Sequence, residues 1–162
     1  MPQPRTLYRC SDSAALGLTL IELMLGLAIV AVLAVVGLGS YQDYRERARI
    51  AVAVTDIAGM SAAIDRYVLD NRAPPDSLAA VGYGSKLDPW GHAYYYTNLT
   101  TVSGHGQSRK DKRLNPLNSD YDLYSAGKDG QTQTSLAAPV SRDDVIRARD
   151  GKFIGLASDF DP

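Results

Sequence analysis

One long apolar stretch dominates the first third of the chain. From Leu23 to Ser40 no residue is charged, and only Glu22 breaks an apolar stretch that begins at Leu18. Leu, Ala, Val and Met prevail, which predicts a helix rather than a buried strand. From Leu18 to Gly39 the stretch holds about twenty-two residues. As a helix that is roughly 33 Å at about 1.5 Å per residue, close to the roughly 30 Å hydrocarbon core of a bilayer. Past Ser40 the pattern becomes amphipathic. Ile50, Val54, Ile57, Ile64 and Val68 recur at steps of three, four and seven, which is one stripe of a helix. Ala48, Ala51, Ala53, Ala58, Ala62 and Ala63 support it by propensity. Asp43, Arg45, Glu46, Arg47, Arg49, Asp56, Asp65 and Arg66 are expected to face away from the stripe. Pro74-Pro75 forces an end soon after Asn71. The pattern therefore predicts one long helix from Leu18 to about Asn71, apolar all round in its first half and amphipathic in its second.

Beyond the prolines the chain is punctuated. Ser77 to Gly82 reads as one helical turn closed by glycine, and Asp88-Pro89-Trp90-Gly91 as a tight turn. Tyr94–Thr97, Tyr121–Ser125 and Lys152–Ala157 read as short strands. Ala126–Gly130 reads as a turn, residues 98–119 and 131–141 as polar loops, and Asp143–Ala148 as a short helix. Three short strands need a surface to pack on, and the amphipathic half of the long helix supplies one. The predicted fold class is α+β, a long N-terminal helix packed on a small antiparallel sheet.

Composition narrows the setting. The 162 residues suffice for one domain and an anchor, and the net charge of −1 implies no nucleic-acid partner. Arg5 and Arg9 against Asp12 make residues 1–17 a short basic segment of the kind that stays cytoplasmic. Cys10, the single cysteine, lies in that segment. A secretory signal is a poor fit, because the apolar run exceeds a signal core of about 7–15 residues and is followed directly by Gln42-Asp43-Tyr44-Arg45-Glu46-Arg47 rather than by an Ala-x-Ala site. A plain single-span anchor explains the length but not Glu22. A lone carboxylate in such a segment is expensive and calls for a partner.

Gly17-Leu18-Thr19-Leu20-Ile21-Glu22, set directly against the apolar run, resembles the processing site of type IV pilins and pseudopilins. The resemblance implies cleavage between Gly17 and Leu18 by a prepilin peptidase and N-methylation of Leu18, with Leu standing where Phe is usual. It also implies a role for Glu22 in assembly. The expected partner of the Glu22 charge is the α-amino group of Leu18 in a neighbouring subunit. The implied organisation is a leader at 1–17, a transmembrane and polymerisation helix at 18–40, and a periplasmic head at 41–162 that includes the amphipathic half of the helix.

The head motifs narrow the resemblance. Ile64 to Asn71, the proline pair, Leu78-Ala79-Ala80, Asp88-Pro89-Trp90-Gly91 and Tyr121 to Gly130 are together similar to the major pseudopilin of type II secretion systems. That implies a non-enzymatic, inner-membrane, single-pass subunit that polymerises through its helix into a periplasmic filament. Its implied partners are copies of itself, the peptidase, an inner-membrane assembly platform and minor pseudopilins. A type IV pilus subunit, major or minor, is the alternative, and an anchored periplasmic binding domain or enzyme is a second. The resemblance also implies calcium as a cofactor. Its ligands would be Ser125, the Ala126 carbonyl and Asp129 in the turn, with Asp143 and Asp144 further on; read without the resemblance, these are a solvated acidic loop.

Other chemistry is sparse. His92 and His105 have no Cys or second His at zinc spacing, and no Gly-x-Ser-x-Gly elbow occurs. Arg109-Lys110-Asp111-Lys112-Arg113 reads as a solvated face, and Trp90 as a packing anchor.

Overall fold

The computed structural model describes residues 17, 19–102, 104 and 106–161, without the side chains of residues 36, 37 and 40. Cys10 and the rest of the leader up to residue 16, together with Leu18 and His105, lie outside the described residues. By internal contact the chain divides into Met1–Gln42 and Asp43–Pro162.

Helix α1 spans Leu20–Asn71, 52 residues. It stops where the sequence says it must. Arg72 takes a left-handed φ of 63°, its N–H closes onto the Val68 carbonyl at 2.8 Å, and the proline pair follows. In the first unit the helix has no core. Its described large apolar side chains from Leu20 to Leu38 are between 54% (Ile29) and 79% (Leu20) exposed. Among the described residues no helix is long and apolar enough to cross a membrane. The expected span at 18–40 includes Leu18, Val36, Gly37 and Ser40, whose side chains fall outside those described.

In the second unit the amphipathic half of α1 carries the core. Ile57 and Ile64 are fully buried, and Ile50, Val54 and Val68 are half-buried around them, as the stripe predicts. Ala53 and Met60 fill the positions between. The stripe meets an antiparallel sheet, which among the described residues has four strands in the order β1-β2-β3-β4. These are β1 (Tyr95–Asn98), β2 (Tyr121–Ser125), β3 (Val145–Ala148) and β4 (Phe153–Leu156). Tyr121, Leu123 and Val145 face the helix and belong to its core. A second core, Leu117, Leu136, Ile146, Ala148 and Ala157, packs Tyr124 and Phe153 against the loops. A 3-10 helix, Leu78–Val81, is closed by Gly82 at φ 84°.

Two expectations are corrected. Asp143–Ala148 is not a short helix: Val145–Ala148 is β3, paired to β2 through Tyr124↔Ile146 and to β4 along its whole length. Asp143, Asp144, Arg147 and Arg149 suggest a solvated helical surface in sequence. In the fold Arg147 is 4% exposed and every residue of β3 is buried, so the strand has no polar face to betray its period. The basic cluster is not wholly solvated either. Arg109 is 3% exposed, and Leu117 further along the same loop is 3% exposed, so residues 98–119 cover the sheet rather than hang from it.

Candidate functional site

The N-terminal end of α1 is built by a reciprocal cap. Thr19 Oγ1 accepts the Glu22 N–H at 3.3 Å. Glu22 Oε2 in turn accepts from the Thr19 N–H and from its hydroxyl, each at 3.4 Å. This is a capping box, which satisfies backbone donors that a first turn leaves open. The signal Thr-x-x-Glu was present in the sequence but hidden by the processing motif that overlaps it. Glu22 is exposed and sits in the first turn, where the helix dipole favours an anion. Gly17 is exposed as well, with open space around its Cα.

The second candidate site is the turn after β2. Asp88 is its hub at 5% exposure. Oδ1 of Asp88 accepts the N–H groups of Trp90 at 3.0 Å and His92 at 2.8 Å. Oδ2 accepts the Ser125 hydroxyl at 2.5 Å. Ser125 Oγ also receives the Gly127 N–H at 3.1 Å, and the Gly127 carbonyl lies 3.2 Å from His92 Nδ1. Ser, Asp and His thus meet, but the serine proton goes to the carboxylate and Ser125 is fully buried. That is the wiring of a structural knot, not of a nucleophile. Trp90 packs on the helix core as expected, and its Nε1 donates to Glu46 at 3.0 Å.

The structure brings Ser125, Ala126, Asp129 and Asp143 to this turn but gives Asp144 to another partner. Asp143 Oδ2 accepts the N–H groups of Lys128 at 2.9 Å and Asp129 at 3.2 Å. Asp129 Oδ1 accepts the Gln131 N–H at 2.8 Å. Asp144 Oδ2 accepts Arg109 Nη2 at 2.5 Å and the Thr132 hydroxyl at 2.7 Å. Calcium asks for six to eight oxygens turned toward one point. Here the turn offers N–H donors to Asp143, and a guanidinium already faces Asp144. Asp144 Oδ1 is buried without a hydrogen-bond partner, a single free oxygen beside a fixed positive charge. Among the described residues no group of three His, Cys, Asp or Glu is placed to hold a metal. The five residues, as arranged, do not fit a calcium cage.

Sequence reasoning missed two charge pairs because nothing local marks Arg109, in a loop, or Arg147, in β3, as lying inside. Arg109 stacks 4.1 Å over the Tyr124 ring. Arg147 stacks 3.9 Å over Tyr121 and grips Asp120 with two bonds, at 2.8 and 2.7 Å. Burial pushes the Asp144 carboxyl up from the ordinary aspartate value, and Arg109 and Thr132 only partly pull it back. Burial would also raise Asp120, but its bonds from Arg147 outweigh that and hold it below the ordinary value. Asp122, buried under the Arg109 amide, is pushed up by the same desolvation.

Among known proteins, the chain is 31% identical over 150 residues to the type IV major pilin protein PilE1 of Neisseria gonorrhoeae, covering 85% of this chain and 87% of that protein. It is 30% identical over 136 residues to the type II secretion system core protein G of Pseudomonas aeruginosa, covering 71% and 84%. Core protein G of Escherichia coli K12 is 32% identical over 139 residues, covering 73% and 85%. No family model and no solved structure matches the chain.

Proposed function

The chain belongs to the type IV pilin and pseudopilin family, and we propose that it is a structural subunit of a type II secretion pseudopilus, held in the inner membrane by residues 18–40 until it assembles. The observation that carries this is the helix behind Gly17: a capped start at Thr19 and Glu22, then described large apolar side chains between Leu20 and Leu38 that stay more than half exposed. Such a surface is stable only in lipid or against other helices. Prepilin peptidase cuts between Gly17 and Leu18, and Leu18 becomes the methylated terminus. In the assembled rod, Glu22 exchanges its local cap for the α-amino group of a neighbouring Leu18, since a carboxylate buried without a counter-charge is costly enough to set the register between subunits. The assembly platform and minor pseudopilins of the inner membrane then act on a periplasmic head.

A surface type IV pilus is the second reading, favoured by the identity to a major pilin. Against it stands the single cysteine, Cys10, which leaves the processed chain without a thiol for any disulfide. Mass mapping of the mature N-terminus tests the class: methyl-Leu18 is expected, and an intact residue 1–17 segment in assembled material refutes it. Glu22→Ala is expected to leave processing unchanged and to abolish filaments, so normal filaments from that variant refute the assembly role. Electron microscopy of sheared cells separates the fibres, since long surface filaments would favour the pilus.

A further inference from the structure

We infer that the Arg109 guanidinium, and not a metal ion, is the cation that ties the loops of this head to its sheet. Arg109 stands in the loop between β1 and β2, Thr132 in the loop after β2, and Asp144 directly before β3. One side chain joins all three. Nη2 donates to Asp144 Oδ2 at 2.5 Å and Nη1 to Thr132 Oγ1 at 2.7 Å. Thr132 passes its own proton to Asp144 at 2.7 Å, closing a three-membered ring of bonds. The guanidinium plane lies 4.1 Å over Tyr124 of β2, and the Arg109 N–H donates to Asp122 Oδ2 of the same strand at 2.7 Å. The two loops are then laced by backbone bonds, Lys110 N–H to Thr134 at 2.9 Å and Leu136 N–H to Lys110 at 2.9 Å.

The implied ion would tie the turn after β2 to Asp143 and Asp144; the arginine takes Asp144 instead and ties it to Thr132 and the β1–β2 loop, with a charge that does not titrate away. A planar fork suits a carboxylate and an aromatic face together, which neither an ammonium nor a spherical ion does. The pair also excludes its rival. A divalent ion at Asp144 would stand within a few ångströms of a cation that is 3% exposed, in surroundings where like charges repel far more strongly than in water.

The test uses the full-length chain in detergent micelles. Thermal melting with excess calcium chloride and with excess EGTA is expected to give the same midpoint within about 1 °C, because an ion that does not bind the folded state cannot shift it. Cleavage by protease after Asp129 is expected at equal rates in both. Arg109→Met is expected to lower the midpoint by roughly 10 °C, since it strands a buried carboxylate. Arg109→Met with Asp144→Leu is expected to recover most of that loss, because removing both charges relieves what removing one creates. Should Arg109→Met not fold, the double variant and the two wild-type melts still decide. The inference is overturned if calcium raises the wild-type midpoint by several degrees, or if the single variant melts like the wild type. It is equally overturned if the double variant is no more stable than the single.

Discussion

Ile64→Ala probes the seam between α1 and the sheet. Ile64 is fully buried, with Ile57, Met60, Tyr121 and Leu123 in the same cluster. The substitution removes three carbon groups, about 2.4 kcal/mol of transfer free energy at about 0.8 kcal/mol each. The site cannot collapse easily, because Ile57, Met60 and Tyr121 of the same cluster are themselves at most 1% exposed. A residual cavity of about 40 Å³ adds roughly 1 kcal/mol at about 24 cal/mol per Å³. The expected loss is about 3.5 kcal/mol, or roughly 10–15 °C in melting temperature for a head of this size. Near-UV circular dichroism of the full chain in micelles reads it through Trp90 and the tyrosines. Leu69→Ala, on the same helix but 77% exposed, is expected to change stability by less than about 0.5 kcal/mol. Equal effects of the two substitutions would refute the assignment of the buried stripe, and with it the register of helix on sheet.

Two further substitutions address the turn and the charge pairs. Gly127 has φ 66°, and a Cβ there would lie 2.3 Å from the Asp143 carbonyl oxygen. Gly127→Ala is expected to cost about 2–5 kcal/mol in chemical denaturation, strain and overlap together. Gly151→Ala, at φ 86° with its nearest contact at 3.5 Å, should cost only the roughly 1–2 kcal/mol of strain. Asp120 is held below its ordinary value of 3.8, so its contribution is present above that pH and is lost as pH falls through the lowered folded value. Asp120→Asn is therefore expected to cost about 1–3 kcal/mol at neutral pH and to flatten the loss of stability below about pH 4. Asp122 and Asp144, both raised, act in the opposite sense and remain in the variant, so an unchanged acid limb would refute the role of Asp120.

The long helix was legible because two signals agreed. A stripe at Ile50, Val54, Ile57, Ile64 and Val68 set its buried face, and Pro74-Pro75 set its end. The first two strands and the turn at Asp88 were legible for similar local reasons, β-branched or aromatic runs between turn residues. β3 was not, because alternation is a signal only when one face meets water. Val145 faces the helix core while Ile146 and Ala148 face the loop core, and Arg147 is buried between them. The partner of Asp144 was hidden by the same blindness. Acidic residues at plausible spacing cannot reveal that one is engaged by an arginine thirty-five positions back. Arg109 in turn was read as solvated because its neighbours Lys112 and Arg113 are.

The two missed pairs explain how so short a sheet keeps its register. Residues of β2 alternate between faces: Tyr121 and Leu123 point to the helix core, and Tyr124 packs in the loop core. Each face carries one buried guanidinium on a tyrosine of that strand, Arg147 on Tyr121 and Arg109 on Tyr124. Each guanidinium also has one aspartate, Asp120 just before β2 for Arg147 and Asp144 just before β3 for Arg109. Sliding β3 along β2 by one residue would turn Arg147 to the loop face and pull Asp144 from Arg109, leaving buried charges unpaired on both faces. Two apolar faces alone would penalise that slip weakly, because Val145, Ile146 and Ala148 are acceptable on either side. The charges therefore contribute less to the depth of the native state than to the gap that separates it from its nearest shifted pairing, which is the property a subunit needs if its surface is to repeat identically in every copy of a filament.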